Sequence, residues 1–419
     1  MVYPDFKVCV RCFTFNQAKY IEETMNGFTM QQTNFPFVCC IVDDASTDGE
    51  QEVLKSYMKS FFDFSKSSLS FEKDTDYAYI LFAQHKENTN CFFAVLLLHE
   101  NLYSSPKYNL KFNYIAEWYE KCQYEAICEG DDYWIDSRKL QKQVAFLDEH
   151  KDYSMCHTGF DFFIQSQGRI ASGFKIKDQN LKIIAGKHNL YEEILDGNRY
   201  RIQTATVLLR MKLRLQVLHM LKPYDNKFLM GDTQKWLAYL SLGHIGYMPE
   251  ITSVYRLNEG SACCQKSLER QIRFDLSCAE MRVEMAKLFD LSDSFVQVLM
   301  QRYRNNLFKY KCFNVNYVHF IPTNNIYLKD KIKFAFTDFK LMRCIFKIWY
   351  IFRLRIIPSF FHKYLSSKNL NELSVFILFC LCVVILFSNS CLNVSKNESH
   401  KRFLSTVYRL CYAFPLFGC

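Results

Sequence analysis

Short apolar runs alternate with stretches of helical periodicity along the first half of this chain, and that alternation narrows its folds more than any other feature. Lys7 to Phe13 is β-rich, and Ala18 to Gln31 then carries Ile21, Thr24, Met25 and Phe28 at helical spacing. Phe37 to Val42 is a second apolar run, closed by Asp43-Asp44, after which Thr47-Asp-Gly-Glu50 fits a capping box opening another helix. Tyr77 to Ala83 reads as a third strand, Phe112 to Cys122 as a helix and Tyr124 to Cys128 as a fourth strand. Strand-helix alternation predicts a mostly parallel central sheet flanked by helices, an α/β fold. Ligands of such sheets bind beyond the carboxyl ends of the strands.

Further strands are expected at Ser154 to Phe163, at Gln203 to Leu209 and as a pair near Ile245 to Met248 and Ile251 to Tyr255. A helix is expected over Gly231 to Leu242. Ser60 to Asp76 is polar and reads as a loop or insertion. Past Ser261 only longer helical periodicities remain, so the expected division is a main domain over 1–264, a helical accessory region over 265–330 and a separate C-terminal region over 331–419. A chain of 419 residues exceeds one ordinary hydrophobic core, in keeping with that division.

The net charge of +9 is concentrated near the C-terminus, where residues 331–363 hold eight Lys or Arg against one acid, interleaved with aromatics. Two readings stay open for this stretch: an amphipathic segment on an anionic membrane surface, or a helix packed on the main domain with a solvated basic face. The apolar segment over 373–392 is of borderline length for a membrane span. The expected location is the cytoplasmic face of the membrane, held peripherally or by a single C-terminal span. The 18 cysteines show no disulfide-scaffold spacing, which points to a reducing compartment. Cys9 and Cys12 form a lone CxxC inside a strand, a weak pattern for metal.

Four carboxylates fall within Glu129 to Asp136 in the run ICEGDDYWID, directly after the fourth strand. Adjacent carboxylates repel unless something cationic compensates them, and Mg²⁺ or Mn²⁺ held by one or two carboxylates with a substrate diphosphate is the natural compensator. Turn and capping duty is the plain alternative. Asp136 or Ser137 can cap the following helix, Tyr133 and Trp134 could stack on a sugar or pack beneath the turn, and Glu129 has no evident role.

The opening run VCVRCFTFNQAKYIEETMNGFTMQQTNFPFVCCIVDDASTDGE, the segment EGDDYWIDSRKLQKQVAFLDEH, Met230-Gly231-Asp232 and Tyr255-Arg256 together resemble, in order, the sequence blocks of family 2 glycosyltransferases. The resemblance covers roughly residues 5 to 262 and implies a GT-A fold with a nucleotide-sugar donor and an acceptor hydroxyl on a glycan or lipid-linked glycan. It also implies inversion of the anomeric centre. By position, Phe13 and Phe15 would flank the base, Asp44 would hydrogen-bond it, Asp131 would contact the ribose or the metal, Asp132 would ligate Mg²⁺ or Mn²⁺, and Asp232 would be the catalytic base. Asn258 stands where the family often has a metal-binding histidine. A membrane surface is an expected partner and nucleic acid is not. Two other readings compete: a catalytically silent sugar-nucleotide-binding or scaffold protein of the same fold, and a nucleotidyltransferase. The latter normally has a glycine-rich phosphate loop after its first strand, where this chain reads FTFNQAKY.

Overall fold

A computed structural model describes residues 3–66, 68–103, 107, 109–174, 187–197, 200–258, 267–313 and 347. The chain divides into two compact units, Met1–Ala335 and Phe336–Cys419. The apolar segment 373–392 and, apart from Lys347, the basic stretch 331–363 lie outside the described residues. Among the described residues no helix is long and apolar enough to cross a membrane.

Four parallel strands form the centre of the sheet, in the order β6 (Cys91–Leu98), β2 (Phe37–Asp43), β1 (Val8–Thr14) and β7 (Tyr124–Ile127). These strands are apolar almost throughout because both of their faces are covered. Val8, Val10, Cys12, Phe37, Cys39 and Ile41 pack into one core layer, while Cys9, Phe13, Val38, Cys40 and Val42 pack into the other. Cys9 and Cys12 thus fall in different layers and do not converge as a CxxC metal pair would.

The flanks of the sheet are antiparallel, so the sheet is mixed. On one side β5 (Ala78–His85) pairs with β6, and the short strands β3 (Phe62–Asp63) and β4 (Phe71–Asp74) pair with β5. The polar Ser60 to Asp76 stretch is therefore partly strand, an edge extension of the sheet. On the other side β7 meets β11 (Leu208–Arg210), which meets β9 (Tyr153–Ile164). Then β12 (His244–Leu257) runs parallel to β9, pairs with β8 (Tyr133–Trp134) and closes the order, while β10 (Arg169–Phe174) pairs with β9. The two strands expected near 245 and 255 are one long strand, β12, bent by three register shifts against β9.

Helices α1 (Ile21–Thr29), α2 (Glu50–Phe61) and α5 (Lys139–Glu149) bury apolar stripes against the sheet. The helix expected over 112–122 is two short pieces, α3 (Leu110–Tyr114) and α4 (Ala116–Tyr119). Later in the chain come α6 (Lys187–Asp196), α7 (Arg214–Leu221) and α8 (Asp232–Leu242), then a helical hairpin of α9 (Leu268–Leu288) and α10 (Asp293–Phe313). Strand β1 ends at Thr14, β2 at Asp43 and β7 two residues before Glu129, so three loops issue from one edge of the parallel centre.

Candidate functional site

The loops after β1 and β2 are tied to each other. Asn16 Oδ1 accepts from Thr47 N at 2.8 Å, Asn16 N donates to Ser46 Oγ at 2.8 Å, and Ala18 N donates to Asp48 Oδ2 at 3.0 Å. Glu50 is fully buried, and its carboxylate accepts from Thr14 Oγ1, from Gln17 N at 2.8 Å and from Ser46 Oγ at 2.8 Å. Three donors hold Glu50 in place, although burial raises its pKa. The capping box expected at Thr47 to Glu50 does not form. Gly49, with φ of +94°, precedes the helix, and Glu50 serves the β1 loop instead. Asn16 and Ala45 both adopt left-handed backbone, at φ of 55° and 59°, so both loops carry unusual turns just after their strands.

Asp44 is buried. Its Oδ1 accepts from Leu102 N at 2.8 Å and its Oδ2 pairs with Lys111 Nζ at 2.6 Å. Burial pulls the Lys111 pKa down, opposed by Asp44. Phe13 is buried in the same cluster, its ring edge-on to Phe112 at 5.4 Å and 4.8 Å from the Arg11 guanidinium. Phe13 and Asp44 thus build a packed wall, whereas Phe15, 43% exposed, is the ring that solvent reaches.

The EGDD turn lies against the β1 loop with no room to spare. A Cβ on Gly130 would come within 2.2 Å of Thr14 Oγ1, so glycine is required there by close approach. The two aspartates face different ways. Asp132 is 2% exposed, its Oδ1 accepting from Arg256 N at 2.9 Å and its Oδ2 from Gln203 Nε2 at 3.3 Å. Burial, with the Asp131 charge beside it, raises its pKa well above the usual range. Asp131 is only half-buried, and its Oδ2 accepts from Asn258 Nδ2 at 3.2 Å. Of the two expected metal ligands, Asp132 is enclosed in a protein cage and Asp131 is the more open.

Arg256 forms the other side of that cage. Its Nε donates to Asp131 O at 2.9 Å, its guanidinium also bonds Gln165 and Glu23, and it lies over Tyr20, Tyr133 and Phe163 at 4.7, 5.2 and 5.1 Å. Tyr133 and Trp134 pack beneath the turn: Trp134 is buried, donates Nε1–H to Ala205 O at 2.9 Å and meets Phe28 edge-on. Asp136 accepts from Arg138 N at the start of α5 and pairs with Lys142, as a helix-start residue does.

Asp232 is the first residue of α8. Its side chain is 48% exposed, with Thr204 Oγ1 at 3.3 Å and Lys235 Nζ at 3.7 Å. Glu129 links it electrostatically to the EGDD turn. Burial pushes the Glu129 pKa up to about 7; Arg11 and Lys235 oppose the shift, while Asp232 and Asp131 add to it. Arg11 is itself buried and paired to Glu125 at 2.7 Å. The structure therefore brings Glu129, Asp131 and Asp232 together in one acidic opening, Gln203 and Thr204 joining the EGDD turn to Asp232, while Asp44 and Phe13 pack with Lys111, Phe112 and Arg11. Gln17 and Gln203 carry no role in the sequence reading, Glu50 only that of a cap and Arg256 only a place in a sequence block, because each acts on a partner distant along the chain. The glycine between two acids was the visible hint of the tight turn.

Residues 10–75 match the family profile described as Glycosyl transferase family 2. Over its first strands the chain is thus similar to family 2 glycosyltransferases. The mixed sheet covered by helices agrees with the GT-A fold that the sequence blocks implied. Uncharacterized proteins of Mycobacterium bovis and Mycobacterium tuberculosis are 26% identical to this chain over 246 residues, which cover 58% of it and 56% of each relative. The aligned stretch thus spans little more than half of those relatives' length. Among solved structures, S. aureus TarS 1-349 in complex with UDP-GlcNAc overlays with a TM-score of 0.44 at 17% identity, covering 79% of each chain. The mannosyltransferase PcManGT from Pyrobaculum calidifontis, in complex with GDP-Man and Mn²⁺, overlays with a TM-score of 0.41 at 11% identity, covering 88% of this chain and 90% of the other.

Proposed function

We propose that the protein is a metal-dependent, inverting glycosyltransferase that moves a sugar from a nucleotide-diphosphate donor to a hydroxyl of a glycan or lipid-linked acceptor. The observation that carries this reading is the gathering of Asp131, Glu129 and Asp232 at the carboxyl edge of the parallel strands, within a chain whose first strands match the family. The exposed Phe15 offers a face to the base, with Phe13 and the Asp44–Lys111 pair behind it. Asp232, half exposed on a helix start, would take the proton of the acceptor hydroxyl as that oxygen attacks the anomeric carbon.

The residues around Asp131 suit a hard divalent cation. Beside its carboxylate, Gln17 Oε1 and Asn258 Oδ1 are buried oxygens without hydrogen-bond partners. Among the described residues no group of three or more His, Cys, Asp or Glu could hold a metal. A single carboxylate with neutral oxygens fits Mg²⁺ or Mn²⁺, which keep waters and substrate phosphates as their remaining ligands. The bound ion would neutralise the leaving diphosphate. Arg256 and Gln203, by enclosing Asp132, hold the turn that presents Asp131. Work on the cytoplasmic face of a membrane, with the basic 331–363 stretch on anionic lipid, is part of the same proposal and rests on sequence.

Assay of the full chain against a panel of nucleotide sugars, with and without Mn²⁺, tests the reading. Asp232→Asn is expected to bind donor like the wild type and to lose transfer by roughly 10²- to 10⁴-fold. Unchanged transfer would remove Asp232 as base, and donor binding without any turnover by the wild type would favour a silent binding protein.

A further inference from the structure

Away from the acidic opening, three arginines converge on the C-terminal end of α6. Arg302 on α10 pairs with Asp196 Oδ1, Arg201 Nε donates to Gly197 O at 2.9 Å, and Arg282 NH1 on α9 reaches Asp196 O at 3.4 Å. Arg282 NH2 lies so near Gly197 that a Cβ there would be 3.1 Å from it. One carboxylate and the roughly half negative charge of a helix C-terminus face three guanidinium charges. The Arg282 Nε is buried without a hydrogen-bond partner, and burial together with Arg302 and Arg201 lowers its pKa, against the opposing pull of Cys278 and Asp196.

A guanidinium with an enclosed N–H left without an acceptor, and with two like charges beside it, gains from an anion that completes it. Planar forks with spare N–H groups suit phosphate oxygens in particular. The cluster opens to solvent, since Arg201 is exposed and the Arg302 side chain is 40% exposed. The segment that carries Arg201 continues directly to Gln203 and Thr204, which touch Asp132 and Asp232.

We propose that Arg201, Arg282 and Arg302 form a binding site for a phosphoryl group, separate from the donor diphosphate. Its assignment to a phosphate carried by the acceptor rests on the glycosyltransferase reading above; the anion site itself does not.

The test is calorimetric titration of the full chain with inorganic phosphate in EDTA, chloride holding ionic strength constant. One saturable site is expected, weakened at least tenfold in Arg201→Gln, an exposed position that leaves the fold intact, and in Arg282→Gln. No saturable binding, or equal affinity in both variants, would overturn the proposal. Flotation with phosphatidic acid vesicles against phosphatidylcholine alone identifies the source. Binding that depends on the arginines assigns the phosphate to a lipid, and vesicle binding indifferent to them, with phosphate binding lost, assigns it to a soluble ligand. Nucleotide binding in Mn²⁺ is measured in parallel, because its absence from the wild type counts against the proposed function and leaves the anion site standing.

Discussion

Asp131 and Asp132 are neighbours in sequence with different physical situations, and the difference predicts different failures. Removing the Asp132 carboxylate strands Arg256 N and Gln203 Nε2 in a buried place, a loss of about 1–3 kcal/mol per unsatisfied group. Asp132→Ala is therefore expected to lower the urea midpoint clearly. Asp131→Ala, at a half-buried position whose side-chain bonds come from the amides of Asn258 and Gln17, is expected to leave the midpoint nearly unchanged and to abolish Mn²⁺-dependent donor binding. Urea unfolding and donor calorimetry on both variants check this; Mn²⁺ dependence surviving in Asp131→Ala would move the metal elsewhere. The run EGDD signals acid and a tight turn, but not which carboxylate turns outward. That is decided by Arg256, 124 positions further on.

At the scale of elements, the strands of the parallel centre were legible where they carried a flanking cue. The runs at Lys7 and Phe37 end in polar loops and lead into amphipathic helices. Cys91–Leu98 escaped notice although it is buried on both faces, because an unbroken apolar run has no period to read. The helix start at Glu50 was legible as a boundary, yet its chemistry was not, since Thr14 and Gln17 outcompete the local cap. Helix α5 holds a further element-scale tension. Lys139 is fully buried, its Nζ bonded to Gln143 Oε1 at 2.7 Å and 4.3 Å over the Trp134 ring, and burial pulls its pKa down to about 8. A charge so enclosed costs stability that an apolar side chain of similar length does not. Lys139→Met is expected to stabilise the protein by about 1–3 kcal/mol, read as a higher urea midpoint. A drop would mean that the Gln143 and Trp134 contacts outweigh the desolvation.

For the whole molecule, acid should act through His157. It is buried on β9 against Tyr200, and burial lowers its pKa to about 3 from 6.5. Between those values the unfolded chain binds the proton and the folded one does not. His157 therefore contributes stability that is complete above pH ~6.5 and is lost as pH falls toward about 3, on the order of a few kcal/mol. Glu129 acts with the opposite sign: its folded pKa of about 7 lies above 4.5, so its contribution grows as pH falls through that window. The readout is consequently a difference, with His157→Gln expected to flatten the acid limb of the stability–pH curve relative to wild type. Parallel curves would show that His157 does not set it. The hydrogen bonds joining the loops after β1 and β2 have a molecular consequence of another kind. With Asn16, Ser46, Thr47, Asp48 and Glu50 already bonded to one another, the nucleotide of the proposed function would meet a finished mould, and little of its binding free energy would be spent on ordering protein. Discrimination between one base and another would then be a matter of shape fixed when the chain folds, inherited by every turnover and unaltered by it.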